Sequence, residues 1–173
     1  MLFQTDRVFN NFINEYGCNM FSILFKVEKA GLFKKHFTAD DINNIYTSAM
    51  QCGIVGKESY DSEGRPDNGC YVMDGAALFN LGARSLGINA ECKSISWMDR
   101  MYIPGLGEEE ILELGRSGYK GSHFVAGNGI VTPDHWNSEI EFDPIEGGSR
   151  CGKTGFIKSK RILLIKRKLL NDD

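Results

Sequence analysis

The segment FDPIEGGSRCGKTGF, residues 142–156, decides between two folds for this chain. From Gly147 to Thr154 it matches the pattern G-x-x-x-x-G-K-[ST], whose backbone N–H groups surround nucleotide phosphates. A phosphate loop of this kind connects a strand to a helix. The same segment contains Asp143 before a proline, and this aspartate is a candidate for the last member of a catalytic triad.

The residues after the motif argue against a nucleotide site. Residues 155–173 contain ILLI between basic residues, which is typical of a strand rather than of the required helix. Nucleotide hydrolases also need further strands that carry the acidic ligand of the magnesium ion, and these residues leave no room for them. We therefore expect a glycine-rich turn between two strands and no bound nucleotide.

The order of the predicted elements indicates an α+β domain. Helices are predicted in the first half, from Cys18 to about Gly31, from Thr38 to Gly53 and from Asp74 to Gly87. The three consecutive glutamates of GEEEILELGRSG favour the start of a short helix or turn. Strands are predicted for INAECKSIS, HFVAGNGIVT, SEIEFDP and KRILLIKRK, with turns at Asn128-Gly129, Thr132–Asn137 and 147–155. Helices followed by strands are an α+β order, and the length indicates a single domain, residues 1–173.

Composition excludes several classes of function. The net charge of −3 gives no general attraction to nucleic acid or to anionic lipid. No run of about 18 apolar residues occurs, and no signal peptide is visible, so we expect a cytoplasmic protein without a membrane segment. The five cysteines form no C-x-x-C pair. We therefore expect free thiols, with no metal site and no cofactor.

Cys18 is the candidate nucleophile. It begins a predicted helix, where the positive end of the helix dipole favours a thiolate. Two partners follow along the chain, because His123 begins a predicted strand and Asp143 ends the next one. Neighbouring antiparallel strands would place the imidazole and the carboxylate at one end of the sheet, facing the cysteine. Together the three residues predict a Cys–His–Asp triad.

Other residues could take these roles. His135 is a rival base, although a turn between strands suits it better to solvent. Cys70 and Cys151 are rival thiols, but neither precedes a helix as cleanly as Cys18 does. Three aromatic residues could either line a cleft or pack in the core: Trp97, Tyr102 and Trp136.

The segments YGCNMFSILFKVEKAG, GSHFVAG and FDPIEGGS resemble the papain-like cysteine peptidases, most closely the branch related to the bacteriocin-leader-processing peptidases. Together with GFIKSKRIL they also resemble small uncharacterised proteins of phages and prophages with this fold. The resemblance spans roughly residues 10–168. It implies a papain-like core, with helices packed on one face of a mostly antiparallel, barrel-like sheet. In such a core Cys18 is the nucleophile, His123 the general base and Asp143 the orienting acid.

One residue of the family pattern is missing. Family members usually carry a glutamine a few residues before the cysteine, whose amide helps the cysteine N–H to stabilise the oxyanion. Positions 10, 11 and 12 here are Asn, Asn and Phe, and the nearest glutamine is Gln4. Asn10 or Asn11 could donate the same kind of hydrogen bond on a shorter arm.

The resemblance implies a thiol hydrolase of amide bonds that needs neither cofactor nor metal. Its substrate would be a peptide, including a leader peptide or a peptidoglycan stem peptide. The missing glutamine motivates an alternative, a catalytically inactive papain-like fold that acts as a phage-associated binding or structural protein. The sequence leaves the oligomeric state open.

Overall fold

The computed structural model describes residues 1–32, 34–130 and 139–167. The helices within these ranges are α1 (Asn11–Tyr16), α2 (Cys18–Ala30), α3 (Ala39–Gln51), α4 (Gly75–Leu86) and α5 (Arg150–Thr154). The strands are β1 (Ser59–Tyr60), β2 (Pro66–Asn68), β3 (Ala90–Met98), β4 (Glu108–Gly115), β5 (His123–Gly127), β6 (Ile140–Phe142) and β7 (Phe156–Arg167). The predicted turn at 132–137 lies outside the described residues.

Five strands form one sheet in the order β3-β7-β4-β5-β6, and every neighbouring pair is antiparallel. Strands β1 and β2 pair separately as a two-stranded ribbon. The α+β class predicted from the order of elements is confirmed. Over the described residues β3 and β6 are the edges of an open sheet, so the barrel-like closure that we expected is not found there.

Helix α2 lies at the centre of the core. Phe21 and Leu24 have no exposed surface, as their helical spacing predicted. The helix packs against α4 on one side and against β5 on the other. Gly82 permits the close approach of α4, because a Cβ atom at this position would lie 2.9 Å from a methyl carbon of Leu24. These contacts fix the start of α2 relative to the sheet.

The prediction of a short helix or turn at GEEEILELGRSG was wrong. Residues Glu108–Gly115 form strand β4, which lies between β7 and β5 in the sheet. Glu110 accepts a hydrogen bond from Lys160 at 2.8 Å, and both side chains are fully buried. Arg161 pairs with Glu113 at 3.1 Å. Of the three glutamates that suggested a helix start, Glu110 is thus neutralised from β7, whereas Glu109 pairs with Lys26 and Lys29 of α2.

The glycine-rich segment also differs from the turn that we predicted. Ser149 caps a five-residue helix, α5, by accepting a hydrogen bond from the Gly152 N–H. Strand β7 begins two residues after α5 ends, at Phe156. A phosphate loop needs a longer helix whose N-terminus points at the phosphates. The segment thus connects two strands, as expected, but through one helical turn.

Side chains also cap the two helices that were predicted to begin near Thr38 and Asp74. Thr38 and Asp41 form a capping box at the start of α3, and the Asp74 side chain accepts from the Ala77 N–H at the start of α4. None of the described helices is long and apolar enough to cross a bilayer.

Candidate active site

Cys18 is the first residue of α2, directly after a break in the helix. Helix α1 ends at Tyr16 and α2 begins at Cys18, with Gly17 between them. A Cβ atom at position 17 would collide with the Ile13 carbonyl, so this tight junction requires glycine. Because the first N–H groups of a helix have no partner within it, the Cys18 N–H is suited to bind a developing negative charge.

His123 begins β5 and is only 7% exposed. The Ser22 hydroxyl, one turn into α2, contacts the Cys18 carbonyl at 2.8 Å and the Phe124 carbonyl at 3.2 Å. This buried serine ties the start of the cysteine helix to the strand that carries the histidine. It was not singled out from the sequence, because a serine among apolar helical residues gives no signal of such a contact.

His123 and Asp143 are in direct contact. The Nε2 atom of His123 lies 2.8 Å from Oδ1 of Asp143. The same oxygen accepts a hydrogen bond from the Ile145 N–H at 3.0 Å. The other oxygen accepts from the Ser149 N–H at 2.8 Å and from the Ser149 hydroxyl at 2.7 Å. Four hydrogen bonds therefore fix the orientation of the carboxylate and, through it, that of the ring.

The ring also interacts with Cys18. Burial alone would lower the pKa of His123, but hydrogen bonds with Asp143 and Cys18, and their negative charges, raise that pKa from 6.5 to about 9. Since Asp143 occupies Nε2, Nδ1 is the ring nitrogen left for the thiol. An imidazole with this pKa is protonated at neutral pH, and an adjacent imidazolium stabilises a thiolate.

The pKa of Asp143 is shifted in the opposite direction. Burial would raise the pKa of this carboxyl, but the hydrogen bond and positive charge of His123 lower it, as do the hydrogen bonds from Ser149 and the Ile145 N–H. The net result is that the pKa of Asp143 lies below the ordinary value of an aspartic acid. At neutral pH the ionised carboxylate therefore faces the protonated ring of His123.

The two candidate oxyanion donors are not at the triad. The side-chain oxygen of Asn10 caps α1 by accepting from the Ile13 N–H at 2.9 Å, and its amide nitrogen donates to Glu58 at 3.1 Å. Asn11 is exposed at the start of α1. Both hydrogen-bonding groups of Asn10 therefore have partners away from Cys18, which leaves the Cys18 N–H as the oxyanion donor that the geometry supports.

Gln4 is the glutamine that reaches this region. It is 3% exposed, and its amide nitrogen donates to the Asn14 carbonyl at 2.8 Å. A continuous helix would use that carbonyl to bind the Cys18 N–H. The backbone N–H of Gln4 donates to the Pro144 carbonyl at 2.9 Å, next to Asp143. Gln4 thus connects the helical residues before Cys18 with the loop that follows Asp143, here called the aspartate loop. The sequence did not indicate this connection, because Gln4 is far from Asp143 along the chain.

The rival thiols have different surroundings. Cys70 has no exposed surface, and burial together with the charges of Cys18 and Glu58 raises the pKa of its thiol far above the usual range. Cys151 lies in α5 beside the triad, where burial raises the pKa of its thiol, as do the charges of Asp143 and Cys18. Arg116 opposes that rise. Buried thiols with raised pKa values are poor nucleophiles.

The remaining candidates make other contacts or fall outside the described residues. The rival base His135 and the aromatic Trp136 lie outside the described residues. Trp97 is 65% exposed on β3, and the Tyr102 hydroxyl donates to Glu108 at 2.9 Å. The described residues contain no group of three or more His, Cys, Asp or Glu side chains that could hold a metal ion.

Comparison with known proteins gives one match. The model of a family described as "Protein of unknown function, DUF261" matches residues 1–165. No curated protein matches the chain, and no solved structure matches it. The matched range contains Cys18, His123 and Asp143. It also contains every helix and strand described above, except for the last residues of β7. The chain belongs to the DUF261 family.

Proposed function

We propose that this protein is a thiol hydrolase of amide bonds, a cysteine peptidase with a papain-like arrangement of its catalytic residues. One observation carries the proposal: the ring of the buried His123 lies between the Cys18 thiol at a helix N-terminus and the fully hydrogen-bonded Asp143 carboxylate. A merely structural histidine does not need both partners. The substrate in this proposal is a peptide, which includes a leader peptide or a peptidoglycan stem peptide.

The roles follow from the geometry. The Cys18 thiolate attacks the carbonyl carbon of the substrate, and the Cys18 N–H hydrogen-bonds the oxyanion that forms. The His123 imidazolium gives its proton to the leaving amine as the C–N bond breaks. Neutral His123 then takes a proton from water, which attacks the thioester and releases the acid and the thiolate. Asp143 holds the ring in one orientation throughout.

Alkylation of the five cysteines tests the nucleophile. We expect iodoacetamide near pH 6 to label Cys18 faster than the other four thiols, as measured by mass spectrometry of peptides. In His123→Ala this preference should disappear. His36→Ala is the matched control, because His36 also contacts a carboxylate, Glu28 at 2.9 Å, but lies elsewhere. Uniform labelling of the wild-type thiols would rule out the paired nucleophile.

An ester substrate tests the acyl transfer itself. p-Nitrophenyl acetate should acetylate Cys18 in a burst, followed by slower turnover as water attacks the thioester. Cys18→Ser should lose both phases. Absence of acetylated Cys18 in the folded wild-type protein would contradict hydrolase activity.

A second candidate is an inactive papain-like fold that serves as a phage-associated binding or structural protein. The observation in its favour is that Asn10 has both of its polar groups occupied, so no side-chain amide is assigned to the oxyanion. This candidate predicts preferential alkylation of Cys18 without any turnover of the ester. The two assays together therefore separate the candidates.

A further inference from the structure

A cleft lies directly beside the triad. Its volume is about 160 Å³, and it is bounded by the loop between β4 and β5 on one side and by the start of α5 on the other. His123 forms part of its wall, together with Arg116, Tyr119, Arg150 and Cys151. A group that enters this cleft therefore lies against His123, whose ring is hydrogen-bonded to Cys18.

Arg116 lies in the loop between β4 and β5, close to His123. Strand β4 ends at Gly115, and its residue Leu114 lies opposite His123 of β5. Arg116 follows two residues after Leu114, and the structure places it in the wall of the same cleft as His123. The guanidinium of Arg116 lies 5.8 Å from the centre of the Tyr119 ring.

All charged side chains that line the cleft are cationic: Arg116, Arg150 and the protonated His123. The Asp143 carboxylate lies behind them, with both oxygens already hydrogen-bonded. Among the described residues no acid forms an ion pair with Arg116, and its buried Nε–H has no hydrogen-bond acceptor. A buried guanidinium N–H without an acceptor is costly, so a ligand that supplies one binds favourably.

We propose that this cleft binds a carboxylate of the substrate, so that the peptide hydrolysed at Cys18 carries an acidic group next to the amide bond that is attacked. The inference rests on the proposed function and specifies its substrate class. The planar guanidinium of Arg116 matches a carboxylate with two parallel hydrogen bonds, and Arg150 adds positive charge at the rim. The carboxylate can belong to an acidic side chain or to the end of a peptide chain.

Two alkylating reagents of similar size test the charge preference. In both reactions the Cys18 thiolate forms an S–C bond and iodide leaves, but iodoacetate carries a carboxylate beside the reacting carbon and iodoacetamide does not. The measured quantity is the rate with iodoacetate divided by the rate with iodoacetamide at Cys18. The same ratio at the exposed Cys52 corrects for the intrinsic difference between the reagents.

We expect Cys18 to favour iodoacetate relative to Cys52, and Arg116→Gln to reduce this preference by about tenfold. Arg116→Lys should keep part of it, because the charge remains while the paired hydrogen bonds are lost. Arg84→Gln, on the exposed side of α4, is the control and should change nothing. Added salt should weaken the preference in the wild type.

The outcomes separate the two proposals. An unchanged ratio in Arg116→Gln, with rapid iodoacetamide labelling of Cys18 retained, would overturn the carboxylate site and leave the thiol hydrolase standing. Slow labelling of Cys18 by both reagents in the wild type would remove both proposals. If Arg116→Gln does not fold, the salt dependence and Arg150→Gln provide the same comparison, and no change in either would overturn the site.

Protection of Cys18 from iodoacetamide identifies the source of the carboxylate. N-acetylalanine carries only a terminal carboxylate, and the α-amide of N-acetylglutamate carries only a side-chain carboxylate. Stronger protection by the first assigns the cleft to a chain terminus, and stronger protection by the second assigns it to an acidic side chain. Equal protection by N-acetylalanine amide, which has no carboxylate, would contradict the proposal.

Discussion

Replacing Asp143 by asparagine should lower the pKa of His123. The carboxylate contributes both a 2.8 Å hydrogen bond and a negative charge, and together with Cys18 these act against burial to bring the pKa of the ring from 6.5 to about 9. The shift of about 2.5 units corresponds to about 3 kcal/mol at 1.36 kcal/mol per unit. Because burial opposes the shift, loss of the carboxylate should lower the pKa of His123 by at least about one unit.

The assay is an NMR titration of the His123 ring protons in the wild type and in Asp143→Asn. The ring signals of His36, which is largely exposed and contacts Glu28 instead, are the internal reference. A pKa of His123 that stays near 9 in the variant would refute the conclusion that Asp143 holds the imidazolium. Circular dichroism of both proteins checks that the fold is retained.

The same pair makes stability depend on pH. Because the folded-state pKa of His123 lies above its unfolded value, its contribution is fully present below about pH 6.5 and is lost as the pH rises through about 9. The free energy of unfolding in urea should therefore fall by up to about 3 kcal/mol over this interval in the wild type. In Asp143→Asn the fall should be smaller, and an equal fall in both proteins would show that the pair does not cause it.

Three further changes test the surroundings of the site. Gly152→Ala would place a Cβ atom 2.7 Å from an Asp143 oxygen and so displace the carboxylate. The rate of ester turnover should fall by about tenfold or more, while the midpoint of urea unfolding changes little. Unaltered turnover would show that displacement of the aspartate is tolerated. Lys160→Met leaves the fully buried Glu110 without its cation and should lower the free energy of unfolding in urea by about 3–5 kcal/mol. The double variant Lys160→Met with Glu110→Gln should recover much of this loss. Gln4→Ala should slow iodoacetamide labelling at the triad, and a change in melting temperature alone, with the labelling rate retained, would limit this glutamine to a structural role.

The helices could be predicted because their determinants are local. Thr38 and Asp41 lie in one turn and cap α3 without help from the rest of the chain. Strand β4 could not, because the cations that neutralise its glutamates are distant in the sequence: those of Glu110 and Glu113 come from β7, and those of Glu109 come from α2. Intrinsic preference is weak where a strand lies between two others, since tertiary pairing then decides the conformation. The same limit applies to Gln4, whose partners are fixed only once the chain has folded.

Cys18, His123 and Asp143 could be selected as candidates because each lies at or next to the end of an element, and such ends have local sequence signals. What the sequence could not supply was the set of groups that hold them, namely the Ser22 hydroxyl, the Gln4 amide and the Ser149 cap. Ser22 and Gln4 contact residues that are distant in the sequence, Phe124 and Pro144. Ser149 lies in the segment that suggested a phosphate loop. Their positions follow from packing of α2 against β5 and of the N-terminal segment against the aspartate loop.

The glycine-rich segment between β6 and β7 has a structural role that involves no nucleotide. Gly147 and Gly148 adopt positive φ angles of 75° and 82°, which turn the chain back after β6. This turn brings Ser149 to Asp143, where its N–H and hydroxyl both bind one carboxylate oxygen while the hydroxyl also caps α5. Gly152 then lies so close to that oxygen that no side chain fits. The residues that match the phosphate-loop pattern therefore do bind an anion, and this anion is the carboxylate of Asp143. The orientation of that carboxylate in turn sets the orientation of the His123 ring.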